Sequence, residues 1–236
     1  MKEWLFPDTF ENRMGRTSTA LGWLYLPLHI VVLPLLLGIY GAVDPSVSGA
    51  ALNLAYYGVG VAFVLCVMFR FLRDGFDALL DRPGWCFASI VWGVLIIYSL
   101  GGAVQAILIL FEDELVNPNN ATLEELAGTD YGITKAIALF LAPIVEEGLF
   151  RGVVFGSLRK RQRVLAYAVS IVLFGFYHVW QYAFLYADPL QLIYALQYLP
   201  HGLVLAWCYD RTNSIWTSIF LHMGVNAIAF WALGFV

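Results

Sequence analysis

The stretch Ile133–Phe155 reads ITKAIALFLAPIVEEGLFRGVVF. It is long enough to cross a bilayer as a helix, yet Glu146, Glu147 and Arg151 fall within six residues of one another. An ionisable group at bilayer depth costs roughly 2.5–3.5 kcal/mol on insertion scales and marks function. Glu147 and Arg151 are four apart with the acid N-terminal, the favourable order for an ion pair on one helical face. Glu146 is turned about 100° from Glu147 and need not share that arginine. Pro143 has no amide hydrogen to donate and is expected to kink the helix one turn before the acids. Gly148, Gly152 and Gly156 form a small-residue stripe that lets a neighbouring helix approach.

The rest of the chain has the same apolar character. Of 236 residues, 61% are hydrophobic and 13% are Asp, Glu, Lys or Arg, against about a quarter charged in ordinary soluble domains. Mean hydropathy is +0.74. So much apolar surface cannot be hidden in a soluble globule of this size. The net charge of -4 offers no basic footprint for nucleic acid. Cys66, Cys86 and Cys208 have neither paired nor metal-type spacing and imply no disulfide framework. The composition is that of an integral membrane protein.

Windows of about 20 apolar residues predict seven spans: Leu21–Tyr40, Ala50–Phe71, Phe87–Leu110, Ile133–Phe155, Val164–Leu185, Leu190–Tyr209 and Ser214–Phe235. No small-residue cleavage pattern follows the first, so it reads as a retained signal anchor. Lys2, Arg13 and Arg16, then Arg70, Arg73 and Arg82, then Arg159, Lys160, Arg161 and Arg163, then Arg211 all fall on one side of this arrangement. That is eleven of the 13 Lys and Arg, which sets the N-terminus in the cytoplasm and the C-terminus outside. The connection Phe111–Tyr131 is acidic and lacks Lys and Arg, as an outer loop should, and Leu123–Ala127 is expected to form a brief helical turn. No internal repeat or soluble domain is evident. The expected architecture is all-α, a single polytopic membrane bundle over 1–236 with a motif-bearing core at 133–227.

Further polar groups recur at helical spacing. Phe174 and His178 share a face of span five, and His222 and Asn226 share a face of span seven. At about 1.5 Å per residue, Glu146 lies roughly 16 Å from the basic end, His178 roughly 21 Å, His222 roughly 12 Å and Asn226 roughly 18 Å. Two carboxylates, two imidazoles and an amide therefore reach one level, as a buried site requires. The short depths suggest access from the cytoplasmic side.

These three patterns, Glu146-Glu147-Gly-Leu-Phe-Arg151, Phe174-Gly-Phe-Tyr-His178 and His222-Met-Gly-Val-Asn226, resemble the EExxxR, FxxxH and HxxxN motifs of the CPBP family of intramembrane proteases. That Abi-like family includes CAAX prenyl endopeptidases and bacteriocin-processing enzymes. The resemblance covers residues 133 to 227; the first three spans carry no signature. It implies peptide hydrolysis by glutamate-activated water, without an acyl-enzyme or cofactor. Glu146 would be the general base, with His178 holding the water. His222 and Asn226 would stabilise the oxyanion, and Glu147 with Arg151 would brace the site. The implied partners are the lipid bilayer and a membrane-associated protein or peptide. The location would be the cytoplasmic membrane of a bacterium or the endoplasmic reticulum of a eukaryote.

Blander readings stand beside these. Glu147 with Arg151 is also a charge-neutralising pair, Asn226 also interhelical glue, and Phe174 also packing. His29 and His201, near Pro27, Pro34 and Pro200, would bond carbonyls freed by proline, although His201 is deep enough to line a cavity. Gln181, Gln191 and Gln197 would shape a groove or bond between helices. Arg159–Arg163 reads as a topology signal with anionic-lipid contact. Glu146, His178 and His222 also make a two-His, one-carboxylate zinc set, although no HExxH is present. A carrier using the same acids would show duplicated halves. A non-catalytic scaffold would keep the motifs unused. Substrate-binding residues and oligomeric state are not legible.

Overall fold

A computed structural model describes residues 10–110 and 117–232. Lys2, Glu112, Asp113, Glu114 and the end of the span expected at Ser214–Phe235 lie outside the described residues. The described residues are helical with no strand: α1 Arg16–Val43, α2 Gly49–Asp81, α3 Pro83–Ile109, α4 Pro118–Thr129, α5 131–159, α6 Arg163–Leu185, α7 Leu199–Thr212 and α8 Ile215–Ala232. Five of them, α1, α2, α3, α6 and α8, are long and apolar enough to cross a membrane. Leu24, Leu36, Phe69 and Phe87 are each more than half exposed, an apolar exterior suited to lipid. The chain is a multi-pass integral membrane protein.

The fourth and sixth expected spans are helical but not plain α-helix. In α5, five-residue hydrogen-bonded turns run over Ile137–Leu141 and again over Glu147–Phe155. The sixth opens as a 3₁₀ stretch, Pro189–Tyr198, and becomes α-helical only from Leu199. Proline accounts for that change. Pro200 has no N–H for the Leu196 carbonyl, and the Leu199 N–H, one residue nearer, takes it instead.

Other boundaries also follow local chemistry. The second helix outruns its apolar stretch, with no breaker until Arg82, which precedes Pro83. Pro83 then opens α3 at a position where its missing N–H costs nothing. The turn expected at Leu123–Ala127 is a twelve-residue helix, capped by Asn117, whose side chain accepts the Asn119 N–H.

Hydrogen bonds identify two ends of the bundle. At the basic end, Arg13 donates to the Asp74 carbonyl at 2.8 Å, Ser214 to Gly75 at 2.7 Å and Trp216 to Leu72 at 2.7 Å. Arg159 and Arg163 flank the buried Asp210 at 2.8 and 3.4 Å, so half of that basic run is engaged inside the protein. At the other end, Asn117, Gln197 and Gln105 join α4, the 3₁₀ stretch and α3 through side-chain amides.

The fifth helix occupies the middle, with Val145 to Gly156 all buried. The glycine stripe serves an internal contact. A Cβ on Gly152 would stand 2.7 Å from Met14 and 2.9 Å from Phe71. Gly148 faces Val64 and Met68 of α2, and Gly156 faces Asn12.

Candidate active site

Pro143 shapes the approach to the acids by changing hydrogen-bond register. The Ala142 N–H is spent on Ile137 five residues back, and Pro143 has none. The Ala138 carbonyl is thus without a helical donor, and Asn226 of α8 supplies one from Nδ2 at 2.7 Å. The same arithmetic recurs in α1. The Leu33 N–H goes to Leu28, Pro34 has none, and the His29 carbonyl accepts the Tyr56 hydroxyl at 3.0 Å. Each freed carbonyl is satisfied by a side chain of another helix. The expected kink at Pro143 is therefore realised as a widened turn.

Glu147 is fully enclosed. Its Oε1 accepts from Arg151 at 3.0 Å and from His222 Nδ1 at 2.9 Å, and Oε2 lies 2.8 Å from Ser218 Oγ, whose one hydrogen it shares with the Leu205 carbonyl at 2.7 Å. Arg151, also fully buried, donates to the Gly202 carbonyl at 3.3 Å and stacks 4.3 Å from the centre of the Phe174 ring. A buried ion pair is costly unless additional bonds satisfy its partners; both Glu147 oxygens are bonded, whereas Arg151 Nε has no hydrogen-bond partner among the described residues.

Glu146, the preceding residue, is held by one hydrogen bond. Tyr57 of α2 donates to its Oε1 at 3.0 Å. Its Oε2 is buried, and no donor among the described residues bonds it. Two imidazoles face that oxygen, His178 Nε2 at 3.8 Å and His222 Nε2 at 3.9 Å. The protons can be assigned from the opposite ring nitrogens. His178 Nδ1 lies 2.8 Å from the Phe174 carbonyl, which can only accept. His222 Nδ1 faces the Glu147 carboxylate. Neutral rings therefore carry hydrogen on Nδ1 and turn a bare Nε2 towards Glu146.

The three motifs lock one another in place. Phe174 fixes the His178 tautomer through its carbonyl and covers Arg151 with its ring. Gly175 lets the 3₁₀ stretch approach α6: a Cβ there would meet the Ala195 carbonyl at 3.0 Å. That approach brings Tyr198 into a stack on His178, centroids 4.2 Å apart.

Asn226 joins the same cavity lining as Glu146, His178 and His222, with one amide hydrogen committed to Ala138. His201 also lines it. His29 is buried apart from it, stacked on Tyr56 at 4.3 Å. Gln181 and Gln197 line the cavity, whereas Gln191 bonds Asp188 at 2.9 Å.

Sequence reasoning missed Tyr57, Tyr177, Tyr198 and Ser218. Tyr177 sits between Tyr57 and Tyr56, hydroxyls 3.2 and 3.1 Å away. Tyr57 donates to a carboxylate and Tyr56 to a carbonyl, so the one Tyr177 proton serves only one of these contacts. Ser218 stands four residues before His222 on α8, a spacing that could have revealed it. Tyr57 lies on a helix without any motif and gave no signal.

The cavity measures about 710 Å³. Most of its lining comes from the helix halves away from the basic end, as Leu37, Asn53, Gln105, Gln181 and Ala229 illustrate. The lining thus lies mainly on the opposite side of Glu146 from the basic end. The fifth helix continues to Arg159, past the expected Phe155, so up to roughly 20 Å of helix separates Glu146 from the basic end. Among the described residues, no group of three or more His, Cys, Asp or Glu is placed to hold a metal ion.

Fold and site together define a class: a multi-pass helical membrane protein in which Glu146, His178 and His222 line one cavity and Glu147 is enclosed behind them. Residues 132–228 match the family model Rce1-like, described as type II CAAX prenyl endopeptidase Rce1-like, consistent with the CPBP resemblance. Over 91 residues, 38% of this chain and 33% of the relative, the sequence is 35% identical to "Putative membrane peptidase YdiL" of Bacillus subtilis (strain 168). Over 95 residues, 39% of this chain and 45% of the relative, it is 32% identical to "UPF0177 protein YxdF" of Lactococcus lactis subsp. lactis (strain IL1403). The matches thus span less than half the length of either curated relative. No solved structure gives a significant match.

Proposed function

We propose that this protein is an intramembrane endopeptidase of the glutamic type, with residues 133–227 as its catalytic core. It would cleave a membrane-associated or lipid-anchored protein or peptide. The observation that carries this reading is the contrast at Glu146: a buried carboxylate oxygen without a donor among the described residues, facing the Nε2 atoms of His178 and His222 in a cavity wall. A water between those three atoms can give its proton to Glu146 while its oxygen attacks a peptide carbonyl. Glu146, now protonated, returns that proton to the leaving amine as the C–N bond breaks.

The oxyanion formed between these steps needs donors. The second Nδ2 hydrogen of Asn226 is one, and preorganised donors are most effective where water is scarce. His222 becomes another only as an imidazolium, for which Glu147 is the counter-ion on its Nδ1. The basic end lies in the cytoplasm under the positive-inside bias. The test compares membrane-protein termini by mass spectrometry in cells lacking this protein, supplied with wild type or Glu146→Gln at matched abundance. Termini found only with wild type support proteolysis and reveal the substrate. Identical termini would refute the reading.

A further inference from the structure

The placement of the cavity bears on where a substrate comes from. Between Glu146 and the basic end the protein is solid: Val64, Met68, Phe71, Leu149 and Val153 are all buried. That end is then cross-linked by Arg159 and Arg163 on Asp210 and by the Ser214–Gly75 and Trp216–Leu72 bonds. In the opposite direction, the cavity continues from Glu146 to α4 and the start of α2 at Gly49. Among the described residues its lining there is uncharged. Asn117, Asn119, Asn120, Gln105 and Gln197 form one wall, and among the lining residues there is no Lys, Arg or Asp. Side-chain amides offer both donors and acceptors, the complement of an extended peptide main chain. A free C-terminal carboxylate would find no cation among the described lining residues.

Resting on the proteolytic reading above, we infer that the substrate enters from the extracytoplasmic face, as an uncharged internal segment of a chain whose neighbouring residues are in or on the outer leaflet. Asn119 and Asn120, with the amide hydrogens of Gln105 and Gln197 that the Asn117–Gln197–Gln105 chain leaves over, align its backbone at the mouth, and the apolar lining below leads it to Glu146. Hydrolytic water comes by the same route.

The test uses single cysteines in the full-length protein with Cys66→Ala, which removes the exposed native thiol and leaves the buried Cys86 and Cys208. Asn120→Cys reports the mouth, Asn53→Cys the interior and Arg161→Cys the basic end. A small membrane-impermeant thiosulfonate is applied to intact cells and to permeabilised cells. Labelling of positions 120 and 53 in intact cells, with position 161 labelled only after permeabilisation, is the expected result. The reverse pattern would overturn the inference, as would an Asn53→Cys thiol that is unlabelled in both preparations. Labelling reads access without catalysis. If termini do not differ between wild type and Glu146→Gln, the proteolytic reading fails while the labelling pattern still decides the open face.

Discussion

Two adjacent residues, Glu146 and Glu147, occupy opposite kinds of surroundings. Glu147 belongs to a closed region in which Arg151, Ser218 and His222 use both carboxylate oxygens. Glu146 belongs to the cavity side, with one phenol on Oε1 and, among the described residues, no donor on Oε2. The difference comes from a rotation of about 100° on one helix, and it teaches how a membrane site divides its labour. One carboxylate balances a buried cation and orients an imidazole; the other is left with capacity for a reaction. His222 touches both, Nδ1 on the brace and Nε2 on the open oxygen.

The largest expected effect breaks the open side. Glu146→Gln keeps size and most hydrogen bonding but removes the base, so cleavage of the substrate identified from termini should fall by roughly 10²–10⁴-fold. Retention of cleavage would dissolve the contrast. On the brace, Arg151→Ala should cost about 3–5 kcal/mol of stability, because it leaves Glu147 charged and under-compensated in the core. Detergent melting and expression level would read it; an unchanged midpoint would show that Glu147 is not anchored by this pair.

A smaller effect compares the two proline-relieved carbonyls. Asn226→Ala and Tyr56→Phe each strip a donor from a buried acceptor and should each cost about 1–3 kcal/mol. Asn226→Ala should also slow cleavage, whereas a loss of stability alone would leave Asn226 as helix glue. Tyr57→Phe removes the single bond on Glu146 and should lower kcat about tenfold, the size of one charge-assisted hydrogen bond, with KM nearly unchanged. The smallest expected effect is none: metal chelators leave cleavage intact. Loss restored by zinc would turn the same three side chains into a metal site.

Much of this was legible in the sequence for physical reasons. A charge inside an apolar run is expensive wherever it occurs, so Glu146, Glu147 and Arg151 declare themselves without a structure. The periodicity of helices then makes Phe174 with His178, and His222 with Asn226, same-face pairs. The basic residues that gather at one end could likewise be read from span alternation. What could not be read depends on contacts between helices. Tyr57 resembles any other tyrosine of an apolar helix until α2 is packed on α5. The register changes were half legible, since Pro34, Pro143 and Pro200 announce missing donors. Whether the chain answers with a wider turn or a tighter one depends on who caps the freed carbonyl. Asn226 and Tyr56 do so across helices for the wide turns, and the Leu199 N–H does so locally for the tight one. The depth of Glu146 below the basic end came out short, because α5 extends past its apolar run to Arg159.

The most direct measurement is a paired thermal unfolding of Glu146→Gln and Glu147→Gln in one detergent. Glu146→Gln should melt at or above the wild-type midpoint, because a buried, nearly unpartnered charge is lost. Glu147→Gln should melt lower by roughly 10 °C, because Arg151 is left unpaired. Equal midpoints for the two variants would contradict the division of labour between the neighbouring glutamates.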